Sequence, residues 1–456
     1  MKGRRTSRAV GLSAILAIFM LFWAAVSDSA DPIPVLGLKE SIDLALKRSV
    51  VVESAREGVR ITQAQNAEAF TGYLPQFNTS YGYTRISPQP IVAIPPWPPL
   101  THSVVEFPAA GQDNYTWSIE ARQPIFAGGG ITANYKASGF GIDAARSNQQ
   151  TTVLDTIQDV KVSYFQVLKA ERILVVSKQS LEQLQSHLDM AKNFFEVGLI
   201  PLNDLLQSEV ELARGQQFVI QAENALELAR STFNTLLRQA VDTPVKLEDI
   251  LDYKPFEISL EACQKTAVEN RPEIKAYTYQ LEQSKELVKV ARSEYFPTIS
   301  AVGHYERRGD KAGVSGNPTY DQGQENWYVG AMASWNFWEW GKTKDKVDEG
   351  RGRQNQVALA IDNIKDQITL QVRNVWLQLK EAEKVIAVAR KAVEQAEENF
   401  RIVSERYKEQ VATSTDVIDA QTLLTRAKSD LENALGDYNI AIARLEHAIG
   451  RDNLQQ

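Results

Sequence analysis

The chain has 456 residues, 43% apolar and 23% charged, which describes a folded protein with room for two or three domains. Its 57 acidic and 50 basic residues, net −7, are spread along the chain, so there is no basic footprint for nucleic acid. The single cysteine, Cys263, excludes an intrachain disulfide and lies too far inside the chain to carry an N-terminal lipid.

Lys2, Arg4, Arg5 and Arg8 precede an apolar run from Ala9 to Val26 that gives way to small and polar residues, the order found in a secretory signal peptide. Ala25-Val26-Ser27 places cleavage after Ser27, so residues 1–27 are expected to be the signal peptide, with Ala30 as the alternative site. A single membrane anchor competes, because the run is just long enough to span a bilayer. Arg4-Arg5 lacks the apolar residues that follow a twin-arginine export signal. Nothing later reaches that apolar length, so a mature protein that enters a membrane does so by strands, where only alternate residues need be apolar.

The remainder says everything twice, as residues 36–240 and 258–450. Leu38-Lys39-Glu40-Ser41 matches Leu260-Glu261-Ala262-Cys263 at a shift of 260 − 38 = 222, as Tyr83-Thr84-Arg85 matches Tyr305-Glu306-Arg307. Asn203-Asp204-Leu205-Leu206 matches Thr415-Asp416-Val417-Ile418 at 416 − 204 = 212, so length was lost between the strands, where a loop tolerates it. Each half reads helix, strand, loop, strand, long helix, helix.

In the first half the strands fall near 73–85 and 113–126: Phe77, Thr79, Tyr81 and Tyr83 alternate with polar residues, as do Tyr115, Trp117, Ile119 and Ala121. The second half repeats them near 295–307 and 326–338, with Trp327, Val329, Ala331, Ala333, Trp335 and Phe337 on one face. A half-buried soluble strand alternates in the same way. The aromatic excess favours the two girdles of a membrane barrel, with Tyr81, Tyr83, Tyr115, Trp117, Trp327, Trp335 and Trp338 as candidates. The Pro-rich stretch Ile86–Pro108 and the stretch Arg308–Glu325 read as external hairpin loops. Closed membrane barrels have about eight strands or more, so four per chain demand oligomerisation, and three copies would supply twelve.

Helices are expected over 143–197, 202–237, 343–410 and 415–449. From Val357 through Ile368, Leu379 and Ile386 to Tyr407, one apolar stripe advances by threes and fours, and the absence of Pro and Gly from Arg353 to Thr413 implies a rod of about 90 Å. An ordinary coiled coil would show the same stripe. Gly198-Leu199-Ile200-Pro201 breaks the first rod and a helix returns, with Asn203 and Asp204 in its first turn, so antiparallel hairpins are implied rather than a filament.

Tyr73-Leu74-Pro75, Tyr295-Phe296-Pro297, the run from Pro124 to Gly129, and Gly198-Leu199-Ile200-Pro201-Leu202-Asn203-Asp204-Leu205-Leu206, set in this tandem order, resemble the TolC family of outer membrane efflux proteins. The resemblance implies an α plus transmembrane β-barrel fold. Its tandem-repeat protomer would carry four membrane strands and long antiparallel helical hairpins, and would assemble as a homotrimer with a 12-stranded barrel and a periplasmic helical tunnel. It implies an outer membrane channel of a tripartite efflux or type I secretion system, partnered by a periplasmic adaptor and an inner membrane RND, ABC or MFS pump. By that resemblance Asp416 and Asp419 would ring the closed entrance with Tyr407 as gate lock, although Ala412 stands where some relatives have an arginine that ties the helices. Capping of a helix N-terminus is the plainer reading of Asp416. Gly198, Leu199, Ile200, Pro201, Asp204, Gln410 and Val411 would form the adaptor-docking tips.

Trp340-Gly341-Lys342-Thr343 ends like a phosphate loop but has Asn336 where that motif needs glycine. His102, His187, His304 and His447 show no ligand spacing, so neither a metal site, nor a cofactor, nor an enzymatic activity is expected. A passive porin and a periplasmic coiled-coil scaffold are the competing functions: the first would need more strands, and the second leaves the amphipathic strands unexplained.

Overall fold

The structure, a computed structural model, describes residues 35–109, 111–315 and 325–452; the signal-peptide reading and residues 316–324 of the second loop fall outside this range. Helices α1 (Leu38–Arg48), α2 (Val50–Thr71), α3 (Gly130–Glu196) and α4 (Leu202–Leu236) are followed by α5 (Leu260–Asn270), α6 (Pro272–Ser293), α7 (Lys342–Lys408) and α8 (Ser414–Ala448). The lengths run 11, 22, 67 and 35 residues, and then 11, 22, 67 and 35 again. At 1.5 Å per residue each longest helix measures about 100 Å.

The opening helix expected in each half is broken in two. Ser49 caps α2 by accepting from the Val52 amide at 3.3 Å, and Pro272, lacking an amide hydrogen, begins α6. Helix α3 starts at Gly130, well ahead of residue 143, because Ala133 and Ala137 are buried and the tertiary packing of small residues outweighs the low helix propensity of Gly139 and Gly141.

Two compact units are present. The first comprises the described residues up to Arg48 together with Val160–Asp252 and Ala389–Gly436. Within it α3 and α4 run antiparallel, with Arg230 on Glu171 and Lys178 on Glu223. Helix α8 lies antiparallel to α3 on its other side, through Ser180 to Thr425 and Gln183 to Gln421. Gly436 meets Lys169 so closely that a Cβ there would collide with the lysine stem. Two short strands, β1 (Val35–Leu36) and β6 (Lys246–Leu247), pair in parallel. The Tyr164 hydroxyl donates to the Glu248 carbonyl at 2.7 Å and the Leu36 carbonyl at 3.3 Å, clipping both strands to α3.

The first unit also holds the turns after α3 and α7, which share one design. The Gly198 and Leu199 amides return to Phe195 and Phe194 carbonyls, and those of Gln410 and Val411 return to Tyr407 and Arg406. Gly198 takes φ +74°, which glycine adopts freely, whereas Gln410 is held at φ +62° against its Cβ. Gln410→Gly should therefore raise stability by about 0.5–1 kcal/mol after the entropy gained by the unfolded chain is offset, read as a higher urea midpoint at unchanged slope.

The second unit comprises Ser49–Asp159, Tyr253–Val388 and the described residues from Asp437. It contains an antiparallel sheet in the order β2 (Gln76–Arg85), β5 (Asp113–Ala127), β7 (Thr298–Gly309), β8 (Glu325–Ser334). Pro124 sits in a central strand, where it would cost a ladder bond, but the register shifts there between Pro124 and Phe126. The Pro-rich loop is not irregular throughout: β3 (Ile91–Ile94) and β4 (Val105–Pro108) form a small hairpin inside it. Strand β8 stops at Ser334, so Trp335 and Trp338 lie beyond the sheet, not in it.

Candidate functional site

The register sorts every strand residue onto one of two faces, because directly opposed residues point the same way and neighbours alternate. One face carries Phe77, Tyr81, Tyr83, Tyr115, Trp117, Ile119, Tyr305, Trp327 and Val329, in cross-strand rows such as Ile119 to Tyr305 to Trp327. The other carries Asn78, Ser80, Thr116, Ser118, Glu120, His304 and Glu306, with His304 stacked on Tyr328 at 5.1 Å between ring centroids. The first face is mainly apolar, with Arg307 and Glu325 opposed at its loop end, and the second is mainly polar, with Val302, Tyr328 and Met332 among its residues. Among the described residues no further strand pairs with the outer edges of β2 and β8, ten residues each.

The seven expected girdle residues divide into two groups at opposite ends of the sheet. Tyr81, Tyr83, Tyr115, Trp117 and Trp327 lie toward the loops, with Tyr83 and Tyr115 rings 4.8 Å apart and the Trp117 indole donating to Thr79 Oγ1 at 3.1 Å. Trp335 and Trp338 lie at the helical end, where the Trp335 indole donates to the Tyr295 carbonyl at 3.2 Å.

In the first unit, in the opening turns of α8, Asp416 and Asp419 are both exposed. Asp416 Oδ2 accepts from the Thr413 amide and hydroxyl, each at 2.8 Å, and the Asp416 amide donates back to Thr413 Oγ1 at 3.3 Å. That reciprocal pair is a capping box. The bonds from the Thr413 amide and then its hydroxyl hold the Asp416 carboxyl below the usual carboxylate range. Asp419 contributes a second exposed carboxylate one helical turn on.

Tyr407 is 3% exposed and packs on His187 at 4.9 Å and Phe194 at 5.5 Å, tying α7 to α3. Its phenol is pushed up by burial and then by Asp204. His187, dismissed on spacing, is the residue at this tip that sequence reading missed: 8% exposed, it meets Ser414 Oγ through Nε2 at 2.8 Å, and Ser414 meets Ser208 at 3.0 Å. These three side chains join α3, α4 and α8 behind Tyr407. Burial lowers the His187 pKa to about 4. The one sequence trace of the cluster is that Ser180, His187 and Phe194 recur every seventh residue on α3.

Of the expected docking residues, Gly198, Leu199, Pro201, Gln410 and Val411 are exposed, and Ile200 and Asp204 half-buried. The two tips differ. The first exposes Val197, Leu199, Leu202, Leu206 and Val210, whereas the second carries Glu405, Arg406, Lys408 and Glu409. Among the described residues no group of three or more His, Cys, Asp or Glu side chains is placed to hold a metal, and no helix is long and apolar enough to cross a membrane.

Known proteins share both the sequence pattern and the fold. The sequence model of the family described as "Outer membrane efflux protein" matches residues 41–237 and 264–451. The outer membrane efflux protein BepC of Brucella suis biovar 1 (strain 1330) is 23% identical over 415 residues, covering 90% of this chain and 85% of that one. The alkaline protease secretion protein AprF of Pseudomonas aeruginosa is 20% identical over 428 residues, covering 91% of this chain and 84% of that one. Among solved structures, the CmeC outer membrane channel of Campylobacter jejuni superposes with a TM-score of 0.75 at 19% identity, over 91% of this chain and 85% of its own.

Proposed function

This chain belongs to the outer membrane efflux protein family, and from that premise we propose that three copies close one channel across the outer membrane and the periplasm. It is an outer membrane protein that gives substrates a passive exit. The energy would come from an inner membrane pump, reached through a periplasmic adaptor seated on the tips around Gly198, Leu199, Ile200, Pro201, Asp204, Gln410 and Val411.

The carrying observation is the four-stranded sheet with one mainly apolar face, one mainly polar face and two edges that no strand among the described residues pairs with. In hydrocarbon, unpaired edges cost several kcal/mol per polar group, so the sheet enters lipid only when β8 of one copy meets β2 of the next. The two aromatic groups support the same orientation. Trp327 and Trp335 are eight residues apart, and eight extended residues on a strand tilted by about 40° rise about 20 Å, most of the apolar band of such barrels. Helix α7 also keeps a second apolar line exposed, including Leu359, Leu370, Leu377 and Val388, opposite the buried line Ile368, Val372, Leu379 and Ile386. That outer line suits packing against neighbouring copies.

At the closed end, three copies of Asp416 and Asp419 would gather six carboxylates around the axis, favouring cations and open to block by a divalent ion. The test is single-channel conductance in a planar bilayer. Asp416→Asn with Asp419→Asn retains a capping oxygen while removing the charge, so any effect belongs to charge rather than to a lost cap. The expected result is a small, cation-selective conductance in the parent, with cation selectivity and metal block lost in the double variant. Unchanged selectivity moves the gate elsewhere, and failure to insert replaces the channel by a scaffold.

A further inference from the structure

We propose that a groove between the end of α6 and the flank of α7 is a binding site for an anionic phospholipid of the periplasm-facing leaflet. This rests on the reading that the sheet crosses the outer membrane.

The groove encloses about 330 Å³. Tyr295, Phe296 and the buried Val347 floor it, and Arg292, Lys344 and Arg351 rim it. Asp348 is the one carboxylate on the rim, 3.5 Å from Lys344 and 3.1 Å from Arg351, so three cations face one anion. Other cations nearby are neutralised locally: Lys346 bonds both Glu294 carboxylate oxygens at 2.7 Å, and Lys342 pairs with Glu339. An apolar floor under a cationic rim fits a ligand that is anionic at one end and greasy at the other.

Its position selects a lipid over a soluble ligand. Phe296 is two residues from Thr298, where β7 begins, so the rim lies where headgroup phosphates meet the end of the strands. Beside it a second hollow of about 430 Å³ is walled by Trp335, Phe337, Trp338 and Trp340. Trp340 is 88% exposed and held at φ +53°. A bulky side chain in that conformation is strained, and beyond an edge contact with the Trp338 ring at 5.5 Å the indole stays open to whatever covers this face.

The first half of the chain shows that the fold does not require the groove. The shifts of 222 and 212 match Arg292, Tyr295 and Val347 with Phe70, Tyr73 and Tyr135. There the three rings fill the same place, with centroids 5.8 to 6.1 Å apart. Likewise Trp340, Lys344 and Arg351 replace Gly128, Thr132 and Gly139, and Gly128 keeps the same backbone at φ +59°. One half plugs the position with aromatic packing, and the other opens it and lines it with charge.

Native mass spectrometry of the detergent-released protein, offered equal amounts of phosphatidylglycerol and phosphatidylcholine with the same acyl chains, tests the assignment. Phosphatidylglycerol should be retained in preference. Arg292→Gln, Lys344→Gln and Arg351→Gln combined should erase that preference, at about fivefold per cation removed, while Asp348→Asn should strengthen it. Equal retention of the two lipids, or a preference indifferent to Asp348→Asn, overturns the site even if the triple variant folds poorly. An adduct of inorganic phosphate as durable as that of the lipid overturns the lipid class. Flotation of the parent with vesicles reads membrane insertion separately: no flotation sinks the channel, whereas flotation without lipid preference sinks only the groove.

Discussion

Tyr407→Ala should destabilise the first unit by about 3–5 kcal/mol, the range for deleting a buried aromatic ring, and should widen the closed end of the channel. The ring is nearly inaccessible and bridges α7 to His187 and Phe194 on α3, so its loss removes two aromatic contacts and leaves a void. The outcome is read as a lower urea midpoint and a larger single-channel conductance. Tyr407→Phe keeps the ring and should stay near the parent on both. A conductance unchanged in the alanine variant would leave Tyr407 as core packing with no part in closure.

Acidification should loosen the same tip through His187. Its folded pKa, about 4, lies below the ordinary 6.5, so in that interval the unfolded chain binds a proton that the folded one refuses. Stability contributed by the neutral ring is complete above pH 6.5 and drains away as pH falls toward 4, amounting to about 3 kcal/mol per chain across the window. The measurement is the urea midpoint of the parent and of His187→Gln at pH 7.5 and at pH 4.5. Carboxylates elsewhere titrate alike in both proteins, so the extra loss in the parent isolates the imidazole. Equal losses would assign the acid sensitivity to other groups.

Much of this was legible in the chain, and the physical reason is periodicity. The stripe through Ile368, Leu379, Ile386 and Tyr407 is buried or half-buried along its whole length because a long helix repeats one environment many times. Phe77 to Tyr83 and Tyr115 to Ala121 announced strands by alternation, and Gly198 announced its turn by chemistry that only a left-handed residue requires. What stayed hidden depends on partners far apart in sequence or on a single local exception. His187 and Ser414 are 227 positions apart, so no ligand spacing could join them. The α3 start at Gly130 was masked by glycines that tertiary contact makes tolerable, and the end of β8 at Ser334 by aromatic alternation that continues through Trp335 and Phe337 after pairing has ceased.

The two edge strands, β2 and β8, are not equivalent to each other, and in the proposed ring of copies this would shape inheritance as well as architecture. A ring built by joining β8 of one copy to β2 of the next grows with a direction, and a copy with one sound edge is still admitted to it. A lesion confined to β8 would therefore be recruited by normal copies and then block closure. A chain lost altogether leaves its sisters free to assemble, so the damaged edge is dominant where the missing chain is recessive.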